Sequence, residues 1–101
     1  MLANITSVKT DRTDLDEGAQ MAADALLPWV RQFDGDRGMI VLSNGENGTA
    51  RFVTFWEDKD ALERSERGRM QVREQMAKTA GVEIDDVQAY TVVLVDGFEA
   101  A

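Results

Sequence analysis

The chain has 101 residues, no cysteine and no histidine, and a formal net charge of -8 at pH 7. That length suits one domain with a modest core, and the 44% hydrophobic and 30% charged content is that of a soluble globular chain. With no imidazole and no thiol there is no Ser-His or Cys-His nucleophile and no axial histidine for haem, and neither zinc nor copper is expected.

The acidic balance works against nucleic acid, because phosphate backbones are bound through several Lys or Arg contacts. Arg64, Arg67, Arg69 and Arg73 cluster locally, but Glu63, Glu66 and Glu74 are interleaved with them. No apolar run approaches the roughly 20 residues of a membrane span, and the chain does not open on a signal-peptide pattern, so no membrane contact is expected. Without cysteine nothing calls for an oxidising compartment, and the expected location is cytoplasmic.

Leu2 to Lys9 alternates loosely and reads as a strand. Leu2, Asn4, Thr6 and Val8 lie on one side, with Asn4 a polar residue on a face otherwise fit for a core. A polar turn over Thr10 to Asp14 leads to a helix from about Asp14 to Phe33. Asp14 with Glu17 forms a capping box in which Asp replaces the usual Ser or Thr. Ala19, Ala22, Ala23, Leu26, Leu27, Val30 and Phe33 give this helix one broad apolar face, with Trp29 at its edge. Pro28 points away from that face. It removes a backbone donor, so the helix either kinks a turn earlier or stops near Leu27 and restarts.

Asp34 to Gly38 is a turn, and Met39 to Asn44 a short apolar strand. Asn44-Gly45-Glu46-Asn47-Gly48 holds two Asn-Gly pairs, a strong hairpin signal that joins this strand antiparallel to the next. The next strand, Ala50 to Trp56, is the best-defined in the chain. Phe52, Thr54 and Trp56 share one face and Arg51, Val53 and Phe55 the other. It runs directly into a helix, with Asp58 at the N-cap and Leu62 as an early apolar anchor.

The helical region extends to about Ala80 with Gly81 as C-cap, and Ser65 and Gly68 predict a break near Ser65. Met70, Met76, Ala77 and Ala80 share a side in its second part. Arg73 falls among them, and Glu66 lies nearby if the helix is continuous. Val82 to Asp86 reads as a linker and Val87 to Val95 as the last strand. Tyr90, Val92 and Leu94 share one of its faces, and the tail from Asp96 is expected to fray.

The order strand, helix, strand, strand, helix, strand is the α+β split β-α-β pattern of a ferredoxin-like domain with an antiparallel sheet. Two helices cover one face of that sheet. The other carries Val53, Phe55 and part of the last strand. Exposing such side chains costs roughly 1.5–3 kcal/mol each, so a homodimer closing a dimeric α/β barrel is expected.

Phe52-Val-Thr-Phe-Trp-Glu-Asp-Lys-Asp-Ala-Leu62 resembles the strand-to-helix segment of the antibiotic biosynthesis monooxygenase (ABM) superfamily of dimeric α/β barrels. The strand order, the glycine-containing turn before Met39 and Tyr90-Thr-Val-Val-Leu94 agree with it, over roughly residues 2 to 95. Asn4 and Trp56 match the pocket asparagine and tryptophan of the haem-degrading branch. Where that branch places its iron-ligating histidine, this chain has Glu63 to Met70, so haem degradation is not expected.

The resemblance then implies the branch that uses no metal or organic cofactor, in which a quinol- or anthrone-type substrate is deprotonated and reacts with oxygen directly. Such a site needs a dry aromatic-lined cavity, polar groups for the substrate oxygens, and a group to hold an anion or take a proton. Trp29, Phe33, Phe52 and Trp56 are the expected lining, and Asn4 the donor to a substrate oxygen. Arg73 would hold the anion, and Glu66 would accept the proton if burial raised its pKa.

Each residue also has a plainer role. The aromatics pack a core, and Asn4 hydrogen-bonds a neighbouring element. Glu66 and Arg73 are solvated or paired with other charges, as Glu63–Arg67 and Glu74–Lys78 are placed to be at i,i+4. Tyr90 is either a pocket phenol or an interface residue. The corresponding alternative function is a non-catalytic module of the same fold, binding a small apolar ligand or acting as a dimeric interaction unit.

Overall fold

A computed structural model describes residues 1–9 and 15–97, with the side chains at 15, 79 and 80 left out. It contains β1 (Leu2–Lys9), α1 (Leu15–Val30), β2 (Asp36–Asn44), β3 (Thr49–Trp56), α2 (Lys59–Arg64), α3 (Glu66–Ala80) and β4 (Glu83–Thr91). The expected capping box at Asp14 lies outside the described residues. The four strands form one antiparallel sheet in the order β2-β3-β1-β4, the ferredoxin-like arrangement. No helix among the described residues is long and apolar enough to cross a membrane.

The alternation of β1 and β3 fixes the layers. Asn4 pairs with Thr54, Thr6 with Phe52 and Val8 with Ala50, which puts these residues on the helix-covered face. Val8, Ala50 and Phe52 meet Ala19, Ala22, Ala23 and Leu26 of α1 and Met76 of α3 in the main core. A smaller cluster forms at one end, where Trp56, Ala61 and Leu62 pack with Leu2 and Phe33.

Local chemistry sets the boundaries. The Asp58 carboxylate accepts from Ala61 N–H at 2.8 Å and starts α2. The helical region breaks at Ser65, whose Oγ donates to the Leu62 carbonyl at 2.9 Å. Gly81 ends α3 in the left-handed region at φ 65°. α1 runs through the exposed Pro28 and ends at Val30, so Phe33 lies in the turn that follows rather than in the helix. Gly35, in the same turn, has φ 87°, and a Cβ there would overlap that of Ala61; its carbonyl accepts from Glu57 N–H at 2.8 Å. That contact closes the turn against the start of α2.

Two strands differ from their sequence reading. β2 begins at Asp36 rather than Met39, because Asp36 pairs with Trp56 across a register shift before Gly38. β4 spans Glu83 to Thr91 rather than Val87 to Val95. Its partner β1 pairs Lys9 with Glu83 and Leu2 with Thr91, and one further bond, Val92 N–H to the Met1 carbonyl at 3.0 Å, ends the ladder. Val93, Leu94 and Val95 continue past it and are exposed.

The helix-free face carries Ile5, Ile40, Leu42, Val53, Phe55 and Tyr90, placed there by register. Val53, expected to need a partner for cover, is only 4% exposed within one chain. Its cross-strand neighbours Ile5 and Ile40 flank it on both sides. The apolar exposure on this face lies instead at Leu42 and Tyr90, which are 51% and 50% exposed.

Candidate functional site

A cavity of about 50 Å³ lies between the sheet and the helices, lined by Asn4 and Thr6 of β1, Phe52, Thr54 and Trp56 of β3, Met39 of β2, and residues of α1, α3 and the Phe33 turn. Trp56 forms one end. Its side chain is fully buried, and its indole N–H donates to Thr54 Oγ1 at 2.9 Å. The Phe33 ring stands 6.0 Å from it, centroid to centroid, tilted by 43°. Asn4 is 7% exposed and lines the cavity beside Thr54, its partner in the β1–β3 ladder.

Two arginines of α3 reach this otherwise uncharged space. Arg73 lines it, half-buried, as the inward helix phase predicts. Arg69 lines it too, with its guanidinium carbon 5.6 Å from the Trp56 ring centre. The Arg69 Nε–H donates to Ser65 Oγ at 2.8 Å and an Nη2–H to the Leu62 carbonyl at 2.8 Å. Burial lowers the pKa of both guanidiniums. Arg73 lowers that of Arg69 further, while Glu66 pulls both the other way. No carboxylate is among the residues lining the cavity.

The sequence-predicted site residues thus separate into two groups. Asn4, Phe33, Phe52, Trp56 and Arg73 come together around one cavity. Glu66, Trp29 and Tyr90 do not join them. Glu66 is exposed in the first turn of α3, because the break at Ser65 starts a new helix there and turns its side chain to solvent. Trp29 is 61% exposed and lines a wider neighbouring groove between α1 and α3. Tyr90 pairs with Ala3, which puts it on the helix-free face, where its hydroxyl donates to Gln88 Oε1 at 3.1 Å. Met70 is likewise exposed, and Val72 takes the inward position expected of it.

Arg69 is the residue that sequence reasoning missed. The signal was present in the spacing Ser65, Arg69, Val72, Arg73, Met76, which is one helical face. Two charges on that face concealed it. Arg69 also falls within the stretch where a haem-ligating histidine would sit, and a guanidinium offers iron no lone pair.

No family model matches the chain, and no curated protein matches it in sequence. Solved structures do match it in three dimensions. A variant of SnoaB, a cofactor-independent oxygenase from Streptomyces nogalater, is 10% identical with a TM-score of 0.70, over 96% of this chain and 97% of that one. The ActVA-Orf6 monooxygenase of Streptomyces coelicolor, in complex with nanaomycin D, is 10% identical with a TM-score of 0.65, over 99% of this chain and 92% of that one. A further antibiotic biosynthesis monooxygenase is 15% identical with a TM-score of 0.60, over 95% and 100%. The chain has the fold of the ABM superfamily.

Proposed function

We propose that this chain is a cofactor-independent monooxygenase of the ABM superfamily, acting on a flat hydroxyaromatic substrate of quinol or anthrone type. The observation that carries the reading is the placing of Asn4, Trp56 and Arg73 around one small, partly open and mostly apolar space beneath the helices. The fold shared with a cofactor-independent oxygenase supports it.

In this reading the substrate ring packs against Trp56 and Phe52, and Asn4 donates to a ring oxygen. Arg73 stabilises the anion left when the substrate loses a proton, since a half-buried cation holds an anion more strongly than one in water. The resulting carbanion reduces oxygen. One oxygen atom is kept as a new ring carbonyl and the other leaves as water. Glu66, exposed on α3, is not assigned the proton. The proton passes to solvent water at the open side of the cavity, and the hydroperoxide formed from oxygen takes one back before it loses water.

The chain works as a homodimer that closes the helix-free face into a dimeric α/β barrel, with Leu42, Phe55 and Tyr90 at the junction. A cytoplasmic location and no partner beyond the ligand and the second copy belong to the same reading. The cavity's small volume favours a second reading, a non-catalytic module that binds a small apolar ligand.

An oxygen electrode separates the two. With a panel of quinols and anthrones, uptake above autoxidation that is lost in Trp56→Phe and Asn4→Ala supports the oxygenase. Saturable binding with no uptake anywhere in the panel supports the module instead.

A further inference from the structure

The cavity beside Trp56 is too small to enclose a multi-ring compound. It measures about 50 Å³, whereas pockets that hold small molecules run roughly 300–1,000 Å³. The groove between α1 and α3 measures about 620 Å³. The two share Leu26, Phe33, Val72 and Met76, so they adjoin across a common wall.

Their linings differ in chemistry. The inner part holds two guanidiniums, while no charged residue is among the described residues that line the groove; it has the Trp29 indole at its rim and the side-chain amides of Gln32 and Gln71 among apolar groups. Such a surface suits an uncharged ligand part with a flat face to stack on and oxygen atoms for amides to meet. Phe33 stands between the two parts, against Trp56 on one side and Gly68 on the other. A Cβ on Gly68 would come 2.6 Å from Phe33 Cε1 and 2.7 Å from Cζ, so the ring sits where only glycine leaves room.

We infer that the α1–α3 groove is an outer subsite for the uncharged, oxygen-bearing remote part of a multi-ring aromatic ligand. Phe33, seated on Gly68, is the specificity-determining partition between that subsite and Trp56. This rests on the inner cavity receiving an aromatic ring, as proposed above. Remote contacts of this kind supply binding energy that the small inner chamber cannot.

Calorimetric titration of the full chain with two probes tests it: phenol, a single ring for the inner part, and 1,8-dihydroxyanthraquinone, which must extend into the groove. Trp29→Ala, at an exposed position, is expected to weaken the three-ring probe about tenfold and phenol less than about twofold. Gly68→Ala is expected to change the ratio of the two dissociation constants about fivefold or more while Phe33 is present, and to leave it unchanged in Phe33→Ala, where the ring it displaces is gone. Equal effects of Trp29→Ala on both probes, or a Gly68→Ala effect indifferent to Phe33, would overturn the subsite. Failure of both probes to bind the unaltered chain would overturn the inner-cavity reading, and the subsite with it.

Discussion

The indole N–H of Trp56 finds its acceptor two residues back on the same strand, Thr54 Oγ1. A fully buried donor left without that oxygen costs about 1–3 kcal/mol. Thr54→Val is therefore expected to lower the melting temperature by several degrees, with Thr54→Ser close to the parent, as differential scanning calorimetry would show. The arginines divide by what they touch. Arg69 is tied to Ser65, Leu62 and the Trp56 ring, whereas Arg73 lines the cavity with no such ties to its walls. Arg73→Met is expected to keep the fold, since burial already disfavours its charge, and to weaken a phenolate ligand about tenfold in titration. The sign of the pH dependence follows. Burial lowers the Arg73 pKa, but a guanidinium keeps its charge through neutrality, so a phenolate ligand is lost as falling pH protonates the ligand and not by discharge of Arg73.

At the scale of elements, the turn over Arg31 to Gly35 governs how the site is assembled. It delivers Phe33 to Trp56 and lays Gly35 on Ala61. Gly35→Ala combines positive-φ strain with a Cβ overlap and is expected to cost more than about 2 kcal/mol, read as a drop in the urea midpoint. This turn also shows what the sequence could and could not convey. The element order, the Asp58 cap, the break at Ser65 and the Gly81 stop were all legible, because each rests on local chemistry within a few residues. That Asn4 shares a face with Leu2, Thr6 and Val8 was legible from strand alternation. The ends of β2 and β4 were not, because they depend on where the partner strand runs out. The places of Glu66 and Tyr90 stayed open for a related reason. A helix break resets the phase of everything after it, and a strand apolar on both faces does not reveal which one meets the helices.

Seen whole, the molecule is a sheet with helices on one side and a bare apolar face on the other. Val53 is shielded by its own neighbours, yet Leu42 and Tyr90 remain half exposed, and Val93 and Leu94 extend beyond the ladder 92% and 80% exposed. These exposed apolar groups are where the proposed second copy would pack. Leu42→Asp is expected to shift the chain from dimer to monomer in size-exclusion chromatography with light scattering, weakening association about tenfold or more while the helix-side core is untouched. A parent chain that elutes as a monomer at micromolar concentration would remove the barrel from the account.

The candidate site and the proposed interface lie on opposite faces of the same sheet, and the account requires the ligand on the helix side. A crystal structure with 1,8-dihydroxyanthraquinone soaked in tests this most directly. The prediction is a ring between Asn4, Trp56 and Arg73 with its far end toward Trp29. Density for the ring on the opposite face, against Phe55 and Tyr90, would contradict it.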